Sequence, residues 1–229
     1  MTDELESLLD ICSYGRGSPS RRHSLSIGQI KQIARTVGRT PEVMLKVINK
    51  GSSSSKAVQG HLGYIGRNGE VELETDDGEI FRGEYVALMD EWNLDLIEKR
   101  GKINLTPNKP KQPPRLVYKL IFSMPAGTPP KKVQAAVRNF AREEFGLKHR
   151  YVMALHTDEP HPHVHLVLKA RSDEGQRLYI RKATLREWRE GFAHHLRALG
   201  VAANATPRHV RGVTSYHARF LVMDPPGFG

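Results

Sequence analysis

Residues 150–170 of the chain read RYVMALHTDEPHPHVHLVLKA. Two apolar, β-rich runs flank a connection of six residues that contains two prolines, and this pattern predicts a hairpin of antiparallel strands. In a symmetric hairpin His156 lies opposite His163, and alternation along the second strand places His165 on the same face. The sequence therefore predicts three imidazoles that converge on one face of an otherwise apolar sheet.

The elements around this hairpin follow the order β, α, hairpin, α, β, α, β, β, α. The pattern predicts a β-rich run at 42–50, a helix near 56–65, a hairpin about the turn at 76–78, a helix at 88–100, a strand at 115–125, an amphipathic helix at 129–146 and a basic helix at 184–200. This order favours the α+β class, with a mainly antiparallel sheet and helices packed on one face.

Length and composition predict one folded domain with short appended segments. We predict a partly flexible N-terminal extension over residues 1–40, a domain over 41–220, and a tail over 221–229 that leads to further domains in a longer parent protein. No stretch approaches the roughly 18 apolar residues of a membrane span, so we expect no membrane association. Cys12 is the only cysteine, which is typical of a reducing compartment and predicts a cytoplasmic protein.

The charge of the chain predicts a polyanion as partner. Thirty-five Lys and Arg against 25 Asp and Glu give a net charge of +10, and nine of the basic residues lie between residues 175 and 219. Concentrated positive charge of this kind is what binding to a phosphate backbone requires. We predict backbone contacts to DNA from four arginines, namely Arg181, Arg186, Arg208 and Arg211.

The three predicted imidazoles form a candidate metal site. Neutral imidazoles suit zinc or manganese, and three protein ligands leave coordination positions open, as in catalytic rather than structural sites. HPHVHLVL also fits the His-x-His-x-His-x-x pattern of histidine-triad nucleotide hydrolases, in which a histidine attacks the phosphate. Against that alternative, Pro162 is awkward within a strand and the pattern does not use His156. A third hypothesis is a DNA-binding protein whose histidine site is degenerate and has no catalytic activity.

Three stretches, in order, resemble the motifs of relaxases. These HUH (His-hydrophobe-His) endonucleases nick and rejoin one strand at the transfer origin of conjugative plasmids. The likeness is to the class with the border nuclease of tumour-inducing plasmids and the broad-host-range plasmid relaxases. LGYIGRNGEVEL at 62–73 resembles the first motif, SMPAGT at 123–128 the second and HTDEPHPHVH at 156–165 the third. ATPRHVRG at 205–212 is similar to the basic segment with which the family's domain ends. The resemblance implies an HUH-endonuclease fold.

The resemblance implies a tyrosine nucleophile and a divalent metal. Only Tyr64 of the seven tyrosines matches the first motif. Its phenol, a weak nucleophile that needs activation, would attack the scissile phosphate and give a 5′-phosphotyrosyl strand and a free 3′-hydroxyl. His156, His163 and His165 would hold Mg²⁺ or Mn²⁺, with Zn²⁺ left open.

Other roles and partners also follow from the resemblance. Asp158 is a candidate partner that would fix the tautomer of a histidine, or a base for Tyr64. His161 is the other candidate base, and Ser123 would hydrogen-bond the DNA. The implied substrate is single-stranded or extruded DNA at a transfer origin. Accessory origin-binding proteins and the coupling protein of a secretion system are the implied partners, with export of the bacterial protein attached to DNA.

Overall fold

The computed structural model describes three stretches of the chain, residues 26–48, 52–103 and 115–206. Within them lies a six-stranded antiparallel sheet with the strand order β1-β4-β6-β5-β2-β3. Its strands are β1 (Met44–Val47), β2 (Leu73–Thr75), β3 (Ile80–Phe81), β4 (Val117–Ser123), β5 (Tyr151–His156) and β6 (His163–Lys169). The predicted hairpin is β5–β6, and His156 does pair with His163.

Six helices accompany the sheet in the described residues. They are α1 (Ile27–Val37), α2 (Ser55–Ile65), α3 (Tyr85–Glu91), α4 (Leu94–Ile103), α5 (Pro130–Phe145) and α6 (Lys182–Ala198), with a 3₁₀ turn at Arg67–Gly69. The α+β class and the mainly antiparallel sheet are confirmed. The helix predicted over 88–100 is instead divided between α3 and α4, because Asn93 has a φ of 53°. Asparagine tolerates this left-handed conformation better than most residues, but it cannot continue a right-handed helix.

Helices cover both faces of the sheet, so the prediction of helices on one face alone was wrong. On one face α5 and α6 bury an aromatic core that includes Phe122, Phe140 and Phe192. On the other face α2, α3 and α4 pack over the side chains of the central strands that point the opposite way, among them Val152 and Val167. Central strands that are apolar on both sides need cover on both sides.

Helix α1 lies within the segment predicted to be an extension. Ser26 caps it: the Ser26 hydroxyl accepts from the Gln29 backbone N–H, and the Gln29 side chain accepts from the Ser26 N–H. At the other end of α1 the Thr36 hydroxyl lies 2.9 Å from the Thr206 hydroxyl. The described part of the segment is thus packed against residues that follow α6. The boundary at residue 40 stays a prediction, and the predicted tail at 221–229 lies outside the described residues.

Gly191 marks a close approach of α5 and α6, and a side chain there should destabilise the domain. A Cβ at Gly191 would lie 3.1 Å from the Phe140 ring. Overpacking of a filled core costs about 1–3 kcal/mol, which outweighs the gain of up to about 1 kcal/mol from alanine in a helix. We expect Gly191→Ala to lower the melting temperature by about 2–6 °C in differential scanning calorimetry.

Gly60→Ala, on α2, is the matched control. A Cβ at Gly60 meets no atom within 4 Å, and alanine favours the helix by up to about 1 kcal/mol. The melting temperature should therefore stay equal or rise. An unchanged melting temperature for Gly191→Ala would contradict the close packing of the two helices.

Candidate active site

Three histidines converge on the sheet face that α2 partly covers. His156 ends β5, and His163 and His165 lie two residues apart on β6. One ligand nitrogen of each ring lies within 4.8 Å of the others, and the ring centroids are 4.6–5.2 Å apart. No other group of three or more potential ligands comes this close together in the described part of the chain.

Backbone carbonyls fix the tautomers of two of these rings. The His156 Nε2–H donates to the Ile65 carbonyl at 2.7 Å, which leaves Nδ1 as an acceptor. The His163 Nδ1–H donates to the His161 carbonyl at 3.1 Å, which leaves Nε2 as an acceptor. Nδ1 of His165 is buried and bonds to no described group. Metal-binding histidines commonly have the second nitrogen held in this way, so the three residues fit a divalent metal.

Burial keeps two of the three rings, His156 and His165, in the neutral form that binds metals. It lowers the pKa of His165 to about 3, with smaller contributions from His156 and His163. The pKa of His156 is also lowered, mainly by burial. Protons therefore compete weakly with a cation at these rings near neutral pH.

Tyr64 lies in the last turn of α2, beside the cluster. Its ring centroid is 6.2 Å from that of His165, and its side chain is 58% exposed. Helix α2 begins where the Ser54 hydroxyl accepts from the Ala57 N–H and ends at Gly66. The structure thus brings the predicted nucleophile and two of the predicted ligands, His163 and His165, into one cleft of about 550 Å³.

His61 lies beside Tyr64 and His165 and was not found from the sequence. It lies one helical turn before Tyr64, with ring centroids 6.1 Å apart and an angle of 16° between the rings. Its ring is 6.3 Å from that of His165. Burial and the positive charge of Lys119 lower the pKa of His61 to about 4. The i, i+3 spacing of His61 and Tyr64 within a predicted helix was the signal that could have found it.

An ion pair joins the end of α2 to the β5–β6 loop. The Arg67 guanidinium donates to the Asp158 carboxylate and lies 5.8 Å from the centre of the Tyr64 ring. The pKa of Asp158 is lowered, first by a hydrogen bond from its own backbone N–H and then by Arg67. No hydrogen bond among the described residues links Asp158 to Tyr64 or to a histidine, although sequence reasoning gave it those partners.

Ser123 and His161 line the cleft from two sides. Ser123 ends β4 opposite His163, and its buried hydroxyl donates to the Met124 carbonyl at 3.4 Å. His161 is exposed in the loop before β6, outside the three-histidine cluster.

The two predicted DNA-contacting arginines within the described residues, Arg181 and Arg186, are not beside the histidines. Arg181 precedes α6 and Arg186 lies on it, and both are exposed. Helix α6 packs with Trp188 and Phe192 on the sheet face opposite the histidines. The two remaining predicted contacts, Arg208 and Arg211, lie outside the described residues.

The metal-free protein should lose stability as the pH falls below neutrality. His165 and His61 have folded-state pKa values of about 3 and about 4, whereas a histidine in an unfolded chain titrates near 6.5. Between these values the unfolded chain binds more protons, so stability is full above about pH 6.5 and declines towards pH 4. We expect the melting temperature in EDTA to fall by roughly 5 °C or more from pH 7 to pH 5.

The variant His165→Gln tests the source of this dependence. This variant removes one of the two histidines with a lowered pKa, so its melting temperature should fall less between pH 7 and pH 5. A melting temperature that is flat in pH for the wild-type protein would contradict burial of neutral histidines.

Comparison with known proteins identifies the family. The family model of the MobA/VirD2-like relaxase nuclease domain matches residues 83–200, just over half of the chain. The chain belongs to this family. The matched range contains Ser123 and the three histidines and begins beyond Tyr64.

Curated relatives agree with this assignment. The T-DNA border endonucleases VirD2 of Rhizobium rhizogenes and Agrobacterium fabrum are each 26% identical to this chain over 136 residues, or 57% of it. The alignment spans about a third of the length of those relatives, 31% and 30% respectively.

One solved structure is similar in outline. It is a chain described under "Molecular Basis of Vancomycin Resistance Transfer in Staphylococcus aureus", 14% identical, with a TM-score of 0.44 over 73% of this chain and 99% of that chain. A TM-score of 0.44 does not by itself establish a common fold. No helix among the described residues has the length and apolar character that a bilayer span needs.

Proposed function

We propose that this domain nicks and rejoins one strand of DNA at the transfer origin of a plasmid or mobile element, through a covalent link to Tyr64. The observation that carries the proposal is the placement of Tyr64 beside the three-histidine cluster, in a cleft that His163 and His165 also line. Tyr64 and the cluster lie far apart in the sequence, and packing of α2 on the sheet brings them together. Family membership supplies the nuclease chemistry that this arrangement would perform.

The proposed step is a transesterification at phosphorus. The Tyr64 phenolic oxygen forms a bond to the scissile phosphorus while the bond from phosphorus to the upstream 3′ oxygen breaks. The phenol gives up its proton, and the departing oxygen takes one to become a 3′-hydroxyl. Because one phosphodiester replaces another, the same groups can run the reaction backwards and reseal the strand.

Two residues are proposed for the proton of the phenol. His161 lines the cleft and is exposed. The Asp158 carboxylate is bound by Arg67, whose guanidinium lies beside the Tyr64 ring, so Asp158 sits within the same local network. Ser123, buried opposite His163, is proposed to hold the DNA near the broken bond.

We propose that His156, His163 and His165 hold a divalent cation, Mg²⁺ or Mn²⁺, although an all-imidazole set also suits Zn²⁺. When bound, the cation supplies positive charge that polarises the phosphate and offsets the negative charge of the transition state. The histidines themselves contribute neutral ring nitrogens with tautomers set by the Ile65 and His161 carbonyls.

The substrate and partners of the whole protein are proposals as well. We propose single-stranded or extruded DNA, because a strand must leave the duplex for its phosphate to enter the cleft. Accessory origin-binding proteins and the coupling protein of a secretion system are the proposed partners. On this view the protein acts in the bacterial cytoplasm and is exported attached to DNA.

The histidine-triad hydrolase alternative meets one structural difficulty. Its pattern needs three alternating histidines on a strand, whereas β6 begins at His163 and His161 lies in the loop before it. The cluster instead recruits His156 from β5, which that pattern does not use.

The proposal predicts a covalent protein–DNA product. The wild-type domain should be incubated with Mn²⁺ or Mg²⁺ and single-stranded oligonucleotides that tile the mobile element encoding it. We expect one oligonucleotide to give a slower band on a denaturing gel, lost in EDTA and reversed by added strand with a 3′-hydroxyl. Absence of the band across the whole tiled set with either metal would overturn the proposal.

A further inference from the structure

The sheet face that carries the three histidines, called the histidine face below, extends from β6 across β4 to β1. It carries two lysines, Lys119 on β4 and Lys46 on β1. Lys46 on β1 pairs with Ile121 on β4, and Ile121 pairs with His165 on β6, so these three residues form one row across the sheet. At about 4.8 Å between strands, Lys46 is roughly 10 Å from His165 at the backbone. Lys119 lies two residues from Ile121 on β4 and therefore shares its face.

The orientation of β1 follows from what its other residues contact. Leu45 and Val47 pack against the core on the α5–α6 face, which leaves Met44 and Lys46 on the histidine face. Lys46 lines the cleft that also contains Tyr64. The lysine is thus within the cleft that the proposed reaction uses.

Neither lysine has an acidic partner in residues 26–48, 52–103 and 115–206. Glu42 lies in the cleft, but one of its oxygens accepts from the Asn204 side chain and the other from the Thr206 N–H. Glu159 is on the rim and exposed. Lys119 is half-buried, and desolvation lowers its pKa. A partly desolvated cation without a counter-ion is stabilised by an anion that enters the cleft.

We propose that Lys119 and Lys46 form a phosphate track, a path across β4 and β1 that binds the phosphodiester groups next to the scissile one. This inference rests on the proposed function, because it places the scissile phosphate between Tyr64 and the three histidines. In this proposal Lys46 and Lys119 take the place of Arg181 and Arg186 as the first contacts to the DNA strand, since those arginines belong to the opposite side of the sheet.

The first test is salt-dependent binding of single-stranded DNA to Lys46→Gln and Lys119→Gln. Each lost phosphate contact should reduce the slope of log affinity against log salt by about 0.7 and weaken binding roughly 5-fold near 0.1 M salt. The matched controls are Lys131→Gln on α5 and Lys182→Gln on α6, two exposed lysines on helices of the other face. These controls should bind as the wild-type protein does, and all four variants should keep its melting temperature.

A second test locates the contacts along the strand. Oligonucleotides with one neutral methylphosphonate at successive positions around the nick should bind the wild-type protein more weakly at one or two positions. At those positions the matching lysine variant should show no further loss. Wild-type affinity in both lysine variants, or an equal loss of affinity in the controls Lys131→Gln and Lys182→Gln, would overturn the track.

The outcomes separate this inference from the proposed function. If the lysine variants lose affinity but the wild-type protein forms no covalent product, the track stands as a binding site and the nicking proposal fails. If the product forms and the lysine variants bind normally, only the track fails.

Discussion

Tyr64→Phe should abolish strand cleavage and the covalent protein–DNA band, while the affinity for single-stranded DNA stays within about 2-fold. Phenylalanine keeps the ring beside His61 and His165 but lacks the oxygen that would attack phosphorus. Loss of a nucleophile lowers turnover by roughly 10⁴-fold or more. Denaturing gels measure the product, and fluorescence anisotropy measures the affinity.

The control for this substitution is Tyr179→Phe. Tyr179 is also strongly exposed, with 68% of its surface accessible, but it lies before α6 and away from the cleft. Its cleavage rate should match that of the wild-type protein. Covalent product from Tyr64→Phe would remove Tyr64 from the mechanism and point to another tyrosine.

His163→Ala should weaken the binding of Mn²⁺ by more than about 100-fold and reduce cleavage in proportion. His163 is only half-buried, so its removal should leave the fold intact. Calorimetric titration gives the affinity, and the rise in melting temperature that Mn²⁺ causes in the wild-type protein should shrink in the variant.

His194→Ala, an exposed histidine on α6, is the matched control and should keep both the affinity and the thermal shift. Tyr64→Phe should keep them as well, which separates loss of the nucleophile from loss of the cation. Unchanged Mn²⁺ affinity in His163→Ala would show that the cluster is not the metal site.

The hairpin and the site on it were predictable because their rules are local. Strand alternation and a short connection fix which residues face each other, and the pairing of His156 with His163 follows. The position of Tyr64 could not be obtained in this way, because it depends on how α2 packs across the sheet. Only the motif resemblance pointed to that tyrosine.

The errors arose where tertiary packing or a single dihedral angle decides the structure. Helices were predicted on one face of the sheet, yet Val152 and Val167, on the same face as the histidines, are buried under helices, as are residues of the opposite face. The helix over 88–100 had a continuous apolar pattern, and only the left-handed conformation of Asn93 divides it. His61 was missed because its i, i+3 spacing from Tyr64 points to the site only once the packing of α2 on the sheet is known.

The hydrogen bond from His156 to the Ile65 carbonyl has a consequence for engineering. Ile65 is the residue next to Tyr64, so the backbone that carries the proposed nucleophile also orients a proposed metal ligand. The Arg67–Asp158 pair makes a second bridge between the same two segments. Chimeras that take α2 from a relative should therefore exchange residues 55–67 and 150–165 together.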